Sequence, residues 1–361
     1  MTNRNPQVRE INFDLLAAGC DTDCLHCYVN GGPGRRMALT DIQTALEKLD
    51  AIAARLTVPA AFTLDNEPLG HPDIVEIIHA CAATRHIRYD HHGMTTGLAL
   101  MRRADREAVL GAYRSCGYDR FGVTLHGIGP HHDEIVRRGG AFEQTVAAAR
   151  LFHSSGCRLE ISIMMNRYIP QDRAAISRLL AELAPERIYF VIPIFAPTAR
   201  MLAFEPYRAR REDFDPLAGY LTDWGQDEGE IFRRAELYSA RTAARAAEGG
   251  IDWGGLDAAS ASELYLTIHS DLTLYVGNTG AETACLGRLD ALDPQKAAGI
   301  INALPGNRDY GAFYDLNRLP DGAALGQVLA ALEGNPVYGD FPSCLYRALA
   351  ELGVPTRLLF H

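Results

Sequence analysis

Cys20, Cys24 and Cys27 stand in the run C-D-T-D-C-L-H-C, a C-x3-C-x2-C spacing. Three thiolates this close can hold one metal centre from a single loop. A [4Fe–4S] cube asks for four thiolates, one per iron. Three would leave one iron free for a non-protein ligand, as an open catalytic metal site does. The same thiols also suit a zinc knuckle or a metal-free structural cluster.

Other residues could do chemistry. Histidines gather at His91-His92, His126 and His131-His132. His91 and His126 fall at the ends of strand-like runs, where a proton acceptor poised near neutral pH would be useful; structural histidines on loops are the alternative. His131-His132 follow Gly-Pro and are expected on an ordinary surface loop. The stretch Gly31-Gly32-Pro33-Gly34 lacks the lysine of a phosphate loop. It is expected to turn the cysteine loop toward the first helix, with Arg35-Arg36 solvated.

The elements that must position these groups alternate. Strand-like runs cover Ile11 to Leu16, Ala61 to Leu64, Ile87 to His91, Arg120 to Leu125, Leu159 to Met165 and Ile188 to Phe195. Helical periods lie between them: from Thr40, with Gln43 a capping box, to about Leu56; Pro72 to Thr84; Arg102 to Ser115; Ala141 to Ser155, closed by Gly156; and Gln171 to Ala184. A sixth helix begins near Asp213. Six β-α units imply a parallel sheet with right-handed crossovers. After about residue 200 the pattern changes. Glu228 to Glu248 reads as one helix. Leu264 to Ile268 and Leu272 to Val276 read as a hairpin turning at Ser270-Asp271. Helices are expected at Gln295 to Leu304 and Ala323 to Glu333, ended by Asn335-Pro336 and Phe341-Pro342.

The cysteine loop, its preceding strand, and His26 and Tyr28 beside the third thiol resemble the cluster motif of the radical S-adenosylmethionine (radical SAM) superfamily. The resemblance implies an α/β fold: a partial (β/α)6 TIM-like barrel over residues 1–212, with a smaller α+β region over residues 213–361. It implies a [4Fe–4S] cluster on Cys20, Cys24 and Cys27, with S-adenosylmethionine on the open iron. Reduction would cleave the sulfonium, and a 5'-deoxyadenosyl radical would take hydrogen from the substrate. Asp65-Asn66-Glu67-Pro68 resembles the family's Gly-Gly-Glu-Pro segment, with Glu67 as partner of the cofactor's amino group and Asp65 and Asn66 replacing both glycines. Thr95-Thr96-Gly97 resembles the polar turn after the third strand. Val123 to Gly127, carrying Thr124 and His126, resembles the fourth. Ser162 lies on the fifth. The cofactor-contacting set implied is His26, Tyr28, Asp65, Asn66, Glu67, Thr95, Thr96, Thr124 and Ser162. These pieces fall at C-terminal strand ends, where barrels of this type bind ligands.

The hairpin and Cys285-Leu286-Gly287 resemble a SPASM or twitch extension. A full extension needs about seven cysteines, and even one cluster needs four thiolates. Beyond Cys157 this chain has Cys285 and Cys344 alone. The expectation is a retained hairpin without auxiliary clusters. In that setting either thiol could donate a hydrogen atom to a substrate radical, or both are small buried apolar residues. His126, Cys285 and Cys344 are the catalytic candidates. Tyr189, Tyr265 and Tyr275 could line a pocket, or simply pack.

Composition bounds the rest. The chain has 361 residues, 47% of them hydrophobic, enough for one large domain and a smaller one. Its formal net charge of −10 and lack of a basic tract argue against non-specific nucleic-acid binding. No apolar run approaches a membrane span, and the start has no signal-like apolar stretch. A reducing cytoplasm is expected. The partners implied are a substrate, a small molecule ahead of a peptide, and an external one-electron donor of the flavodoxin or ferredoxin kind. Epimerisation, rearrangement or carbon–carbon bond formation is favoured, in natural-product biosynthesis. A non-catalytic metal or electron-transfer module is the other class.

Overall fold

The computed structural model describes residues 8–29, 31–34, 36–250, 262–307, 313–314, 319–357 and 359. Six parallel units form an open barrel: β1 (Glu10–Ala18), β2 (Ala60–Asn66), a third strand in two pieces, β5 (Arg120–Leu125), β6 (Arg158–Met164) and β7 (Arg187–Val191). The third strand breaks into β3 (Arg88–Tyr89), paired with β2, and β4 (Met94–Thr95), paired with β5. Gly93 marks the break with φ +69°, and a side-chain carbon there would lie 2.3 Å from the Arg120 carbonyl oxygen. Only glycine fits that approach.

Helices cover the outside because their apolar stripes have no other place to go. In α1 (Leu39–Ala53), Ile42, Ala45, Leu46, Leu49 and Ile52 are buried at helical spacing. Each large aliphatic buried this way contributes about 1.5–3 kcal/mol. The expected Thr40–Gln43 box does not form; the helix begins one residue earlier, after an Ala38 cap without a side-chain hydrogen bond. Next come α2 (Ile74–Ala82), α3 (Leu98–Met101) and α4 (Arg106–Ser115). The helix expected from Arg102 to Ser115 is present as α4, starting later at Arg106, and α3 is a separate turn that ends before Arg102. α5 (Pro130–Val136) places His131 and His132 on a helix, against the expected surface loop. α6 (Ala141–Ser154) ends as expected, with Gly156 left-handed at φ +73°. α7 (Ile169–Leu183) completes the fifth unit.

Beyond β7 lie α8 (Ala199–Phe204), α9 (Tyr220–Asp223), α10 (Glu228–Leu237) and α11 (Ala240–Glu248). The single helix expected over Glu228 to Glu248 is two. Buried Ser239 accepts from the Thr242 amide and starts the second, as an N-cap serine does.

The expected hairpin is present as β8 (Glu263–Ile268) and β9 (Thr273–Val276), joined by β10 (Ala284–Arg288). It extends the barrel sheet: β8 pairs parallel with β1, from Glu10 opposite Glu263 to Leu15 opposite Ile268. The sheet order is β10-β9-β8-β1-β2-β3. α12 (Pro294–Ala303) packs on α1. α13 (Gly322–Ala331) and α14 (Phe341–Glu351) pack with α11 into a second core containing Phe195 and Met201. Phe341-Pro342 opens α14 rather than ending a helix: Asp340 accepts from the Ser343 amide, and proline in the first turn loses no helical hydrogen bond. No helix among the described residues is long and apolar enough to cross a membrane.

Candidate functional site

The cysteine loop leaves β1 at its C-terminal end. Gly19 allows it to fold back: a side-chain carbon there would sit 2.3 Å from the Gly34 nitrogen, and the Cys20 amide donates to the Gly32 carbonyl at 2.8 Å. The glycine stretch therefore turns the loop as expected. Arg36 is exposed, and Arg35 lies outside the described residues. Arginines fasten the loop from outside. Arg102 pairs with Asp21 at 2.6 Å, Arg137 with Asp23 at 2.8 Å, and Arg200 with both Asp23 and the Gly31 carbonyl.

Cys20, Cys24 and Cys27 are free thiols, each partly exposed. The Gly31 amide donates to Cys27 Sγ at 3.1 Å. A side-chain carbon on Gly31 would lie 3.2 Å from Cys20 Sγ, 3.4 Å from Cys27 Sγ and 3.1 Å from Asn66 Oδ1. The missing side chain leaves open space beside two sulfurs. Burial, joined by neighbouring thiols or acidic groups, pushes all three thiols up, Cys24 to about 11. A bound cation would reverse that, since a coordinating thiol is deprotonated outright. Among the described residues no group of three or more His, Cys, Asp or Glu side chains converges as a site for a single ion.

A cavity of about 190 Å³ adjoins the loop, lined by Cys20, Cys24, His26, Asn66, Glu67, Thr95, Thr96, Thr124, His126 and His132 among others. Glu67 is 1% exposed. It accepts from Thr95 Oγ1 at 2.5 Å, from the Thr96 amide at 2.8 Å and from Thr96 Oγ1 at 2.7 Å. These donors are neutral, and burial pushes the carboxyl up despite them. Asn66 has φ +65°, so it keeps the backbone conformation a glycine would supply. Asparagine tolerates that region better than most side chains.

On the far wall, His26 and His126 stack with ring centroids 4.6 Å apart and Nε2 atoms 2.6 Å apart. The His126 amide donates to Nδ1 of buried His132 at 3.3 Å. Burial lowers all three rings, His26 and His132 to about 4. His132 went unrecognised in the sequence; Pro130 at the start of a helical turn was its only signal. His131 stacks on Tyr168 and pairs with Asp172 at 2.9 Å.

A second cavity of about 540 Å³ occupies the barrel lumen, and Asn66, Met94 and Thr95 line both. Tyr28, Asp65, His91 and Tyr265 line the lumen. Ser162 sits opposite Thr124 in the β5–β6 register but lines neither cavity. Tyr189 is 39% exposed. Tyr275, on β9, lines neither cavity. The structure does not bring Cys285 or Cys344 to the cluster loop. Cys285 is exposed on β10, opposite Tyr275, and Cys344 is buried in the second core, donating to the Tyr238 carbonyl.

A family model described as "Radical SAM superfamily" matches residues 15–180. Among curated proteins, the pre-heme d1 synthase of Dinoroseobacter shibae is 27% identical over 186 residues, covering 50% of this chain and 43% of its own. The AdoMet-dependent heme synthase of Methanosarcina barkeri is 22% identical over 187 residues, covering 49% of each. The chain thus spans less than half the length of these relatives. Solved structures share its fold. "Native anSMEcpe with bound AdoMet and Cp18Cys peptide" superposes with a TM-score of 0.52 at 11% identity, covering 95% of this chain and 96% of that one. "Streptococcus suis SuiB bound to S-adenosylmethionine" gives 0.54 at 11% identity, covering 94% and 78%.

Proposed function

We propose, from the premise that this chain is an enzyme of the radical SAM superfamily, that it removes a hydrogen atom from a carbon of an organic substrate held in the barrel lumen. Its cofactors are a [4Fe–4S] cluster and S-adenosylmethionine. When bound, they supply one electron and a carbon radical able to abstract hydrogen from a C–H bond. The observation that carries the reading is the junction of the two cavities: free thiols and a buried carboxylate on one side, the lumen on the other.

The residues fit these groups. Cys20, Cys24 and Cys27 would hold three irons. Gly31 leaves room beside two of the sulfurs. Glu67, aimed by Thr95 and Thr96, would take the cofactor's amino group, because a buried carboxylate among neutral donors gains most from a cation. His26 and Thr124 would face the nucleoside. The arginine clamps hold the loop in register while these groups bind.

A redox-neutral outcome on a small molecule of specialised metabolism is favoured: epimerisation, rearrangement or carbon–carbon bond formation. A second cluster would serve to accept an electron, and neither Cys285 nor Cys344 lines the cavities. A flavodoxin- or ferredoxin-like donor would deliver the reducing electron. Peptide modification is the second reading, supported by the fold shared with a peptide-bound neighbour. Anaerobic reconstitution tests the central claim. A brown iron–sulfur protein that releases 5'-deoxyadenosine on reduction is expected. Stoichiometric zinc with no nucleoside would overturn it.

A further inference from the structure

His126 follows β5, and its backbone is held from both sides. Buried Asn166 donates from Nδ2 to the His126 carbonyl at 2.8 Å. The His126 amide donates to Nδ1 of His132 at 3.3 Å. An amide N–H can only donate, so Nδ1 of His132 carries no proton. A neutral imidazole has one donor and one acceptor nitrogen. The proton of His132 is therefore on Nε2, fixed there by the bond that the other nitrogen makes.

The ring's orientation is built in. The chain doubles back after His126 through Gly127, at φ +140°, where a side-chain carbon would lie 2.8 Å from His131 Cβ and 2.9 Å from Asp172 Oδ2. The neighbours of His132 then fasten α5 on both sides. His131 Nδ1 meets Asp172 Oδ2 at 2.9 Å, and the same oxygen accepts from the Ile128 amide at 2.7 Å. Asp133 accepts from the Gly140 and Phe142 amides at 2.6 and 2.8 Å. Little freedom is left to the imidazole between them.

His132 is 2% exposed, yet its Nε2 donates to no described residue. Nor is Nε2 one of the sealed polar atoms without a partner among the described residues, as Nδ1 of His126 is. Its open side is the cavity beside the cysteine loop, which the ring lines. Buried donors normally have an acceptor, and leaving one without is costly. The surrounding lining suits a flat base. Val136 lies one turn along the same face of α5, with Leu98 packed on it, and both line the cavity. The stacked rings of His26 and His126 line it too. We propose that His132 binds the adenine of S-adenosylmethionine, donating from Nε2 to a ring nitrogen. This rests on the reading of that cavity as the cofactor's site, and adds to it a residue that recognises the base.

The test is equilibrium dialysis of the anaerobically reconstituted, unreduced holoprotein with S-adenosylmethionine, alongside iron assay and thermal melting. Two variants separate the two nitrogens. Asparagine can place its oxygen where Nδ1 lies but has nothing at Nε2, so His132→Asn keeps the amide bond and loses the donor. Glutamine reaches the Nε2 position with its amide nitrogen and offers nothing at Nδ1, so His132→Gln does the reverse. His132→Asn should bind the cofactor about five- to tenfold more weakly, with melting and iron content near the parent's. His132→Gln should melt lower and bind within about twofold of the parent. Deaza analogues, in which one adenine ring nitrogen is a C–H, identify the acceptor. One of them should lose the same factor in the parent and nothing further in His132→Asn, which decides the matter even if His132→Gln does not fold. Unchanged affinity in His132→Asn, equal losses in both folded variants, or no analogue with that pattern would each overturn the proposal. The parent is scored on the same plate. If it loads iron and binds no S-adenosylmethionine, the cofactor reading falls and this inference with it; if the parent and His132→Asn bind alike, this inference falls alone.

Discussion

His26, one residue before the third cysteine, and His126, at the tip of β5, meet Nε2 to Nε2 at 2.6 Å. Burial keeps both rings neutral at neutral pH, so one must donate and the other accept. The contact joins the cluster loop to the fourth barrel strand, a hundred residues away in sequence. His126→Ala would leave a buried nitrogen of His26 unpaired, at a cost of about 1–3 kcal/mol. Chemical denaturation should show that loss. Partial recovery is expected in His126→Gln, which can still hydrogen-bond.

Glu67→Gln removes charge while keeping shape. S-adenosylmethionine affinity should fall about ten- to hundredfold, the size of a charge-assisted hydrogen bond. Iron content should stay at the parent level. Equilibrium dialysis with iron assay separates the two; parallel loss of iron and cofactor would mean that Glu67 holds the loop instead.

Asn66 pays for its φ of +65° where glycine would not. Asn66→Gly should leave the melting temperature nearly unchanged. Asn66→Val should destabilise by about 1–2 kcal/mol, because a β-branched side chain resists the left-handed region. Equal melting in both variants would show that the backbone there relaxes.

Cys20→Ala, Cys24→Ala and Cys27→Ala should each abolish stable cluster loading. Cys285→Ala should leave both iron content and 5'-deoxyadenosine yield unchanged, because its thiol is on an exposed strand. Cys344→Ala should cost about 1 kcal/mol of stability with the chemistry intact, as trimming a small buried group does. Lost product or lost deuterium uptake from solvent in either variant would restore the hydrogen-donor role.

His91 and His132 are both held down to about 4 by burial, against 6.5 in an open chain. Between those values the unfolded chain binds protons that the folded chain does not. Stability should therefore fall as pH drops from 6.5 toward 4, and be unaffected by these groups above that window. Denaturation midpoints across the range check the sign. His91→Gln should flatten the slope.

The cysteine spacing, the strand–helix alternation and the Asn66-Glu67-Pro68 turn were legible because each is local. A thiol triad fits within one loop, and periods of 2 and 3.6 are written into neighbouring residues. The hairpin was legible for the same reason. Its attachment to β1 was not: residues 10 and 263 become partners only when the sheet assembles. Folding likewise split the third strand, turned Phe341-Pro342 into a helix start, and drew His132 from an apparent surface loop into the wall beside His126. Sequence determined which chemistry the loop can support, because ligand type and spacing are covalent facts. Tertiary structure alone decided what faces that loop, because burial and charge juxtaposition exist only between segments distant along the chain.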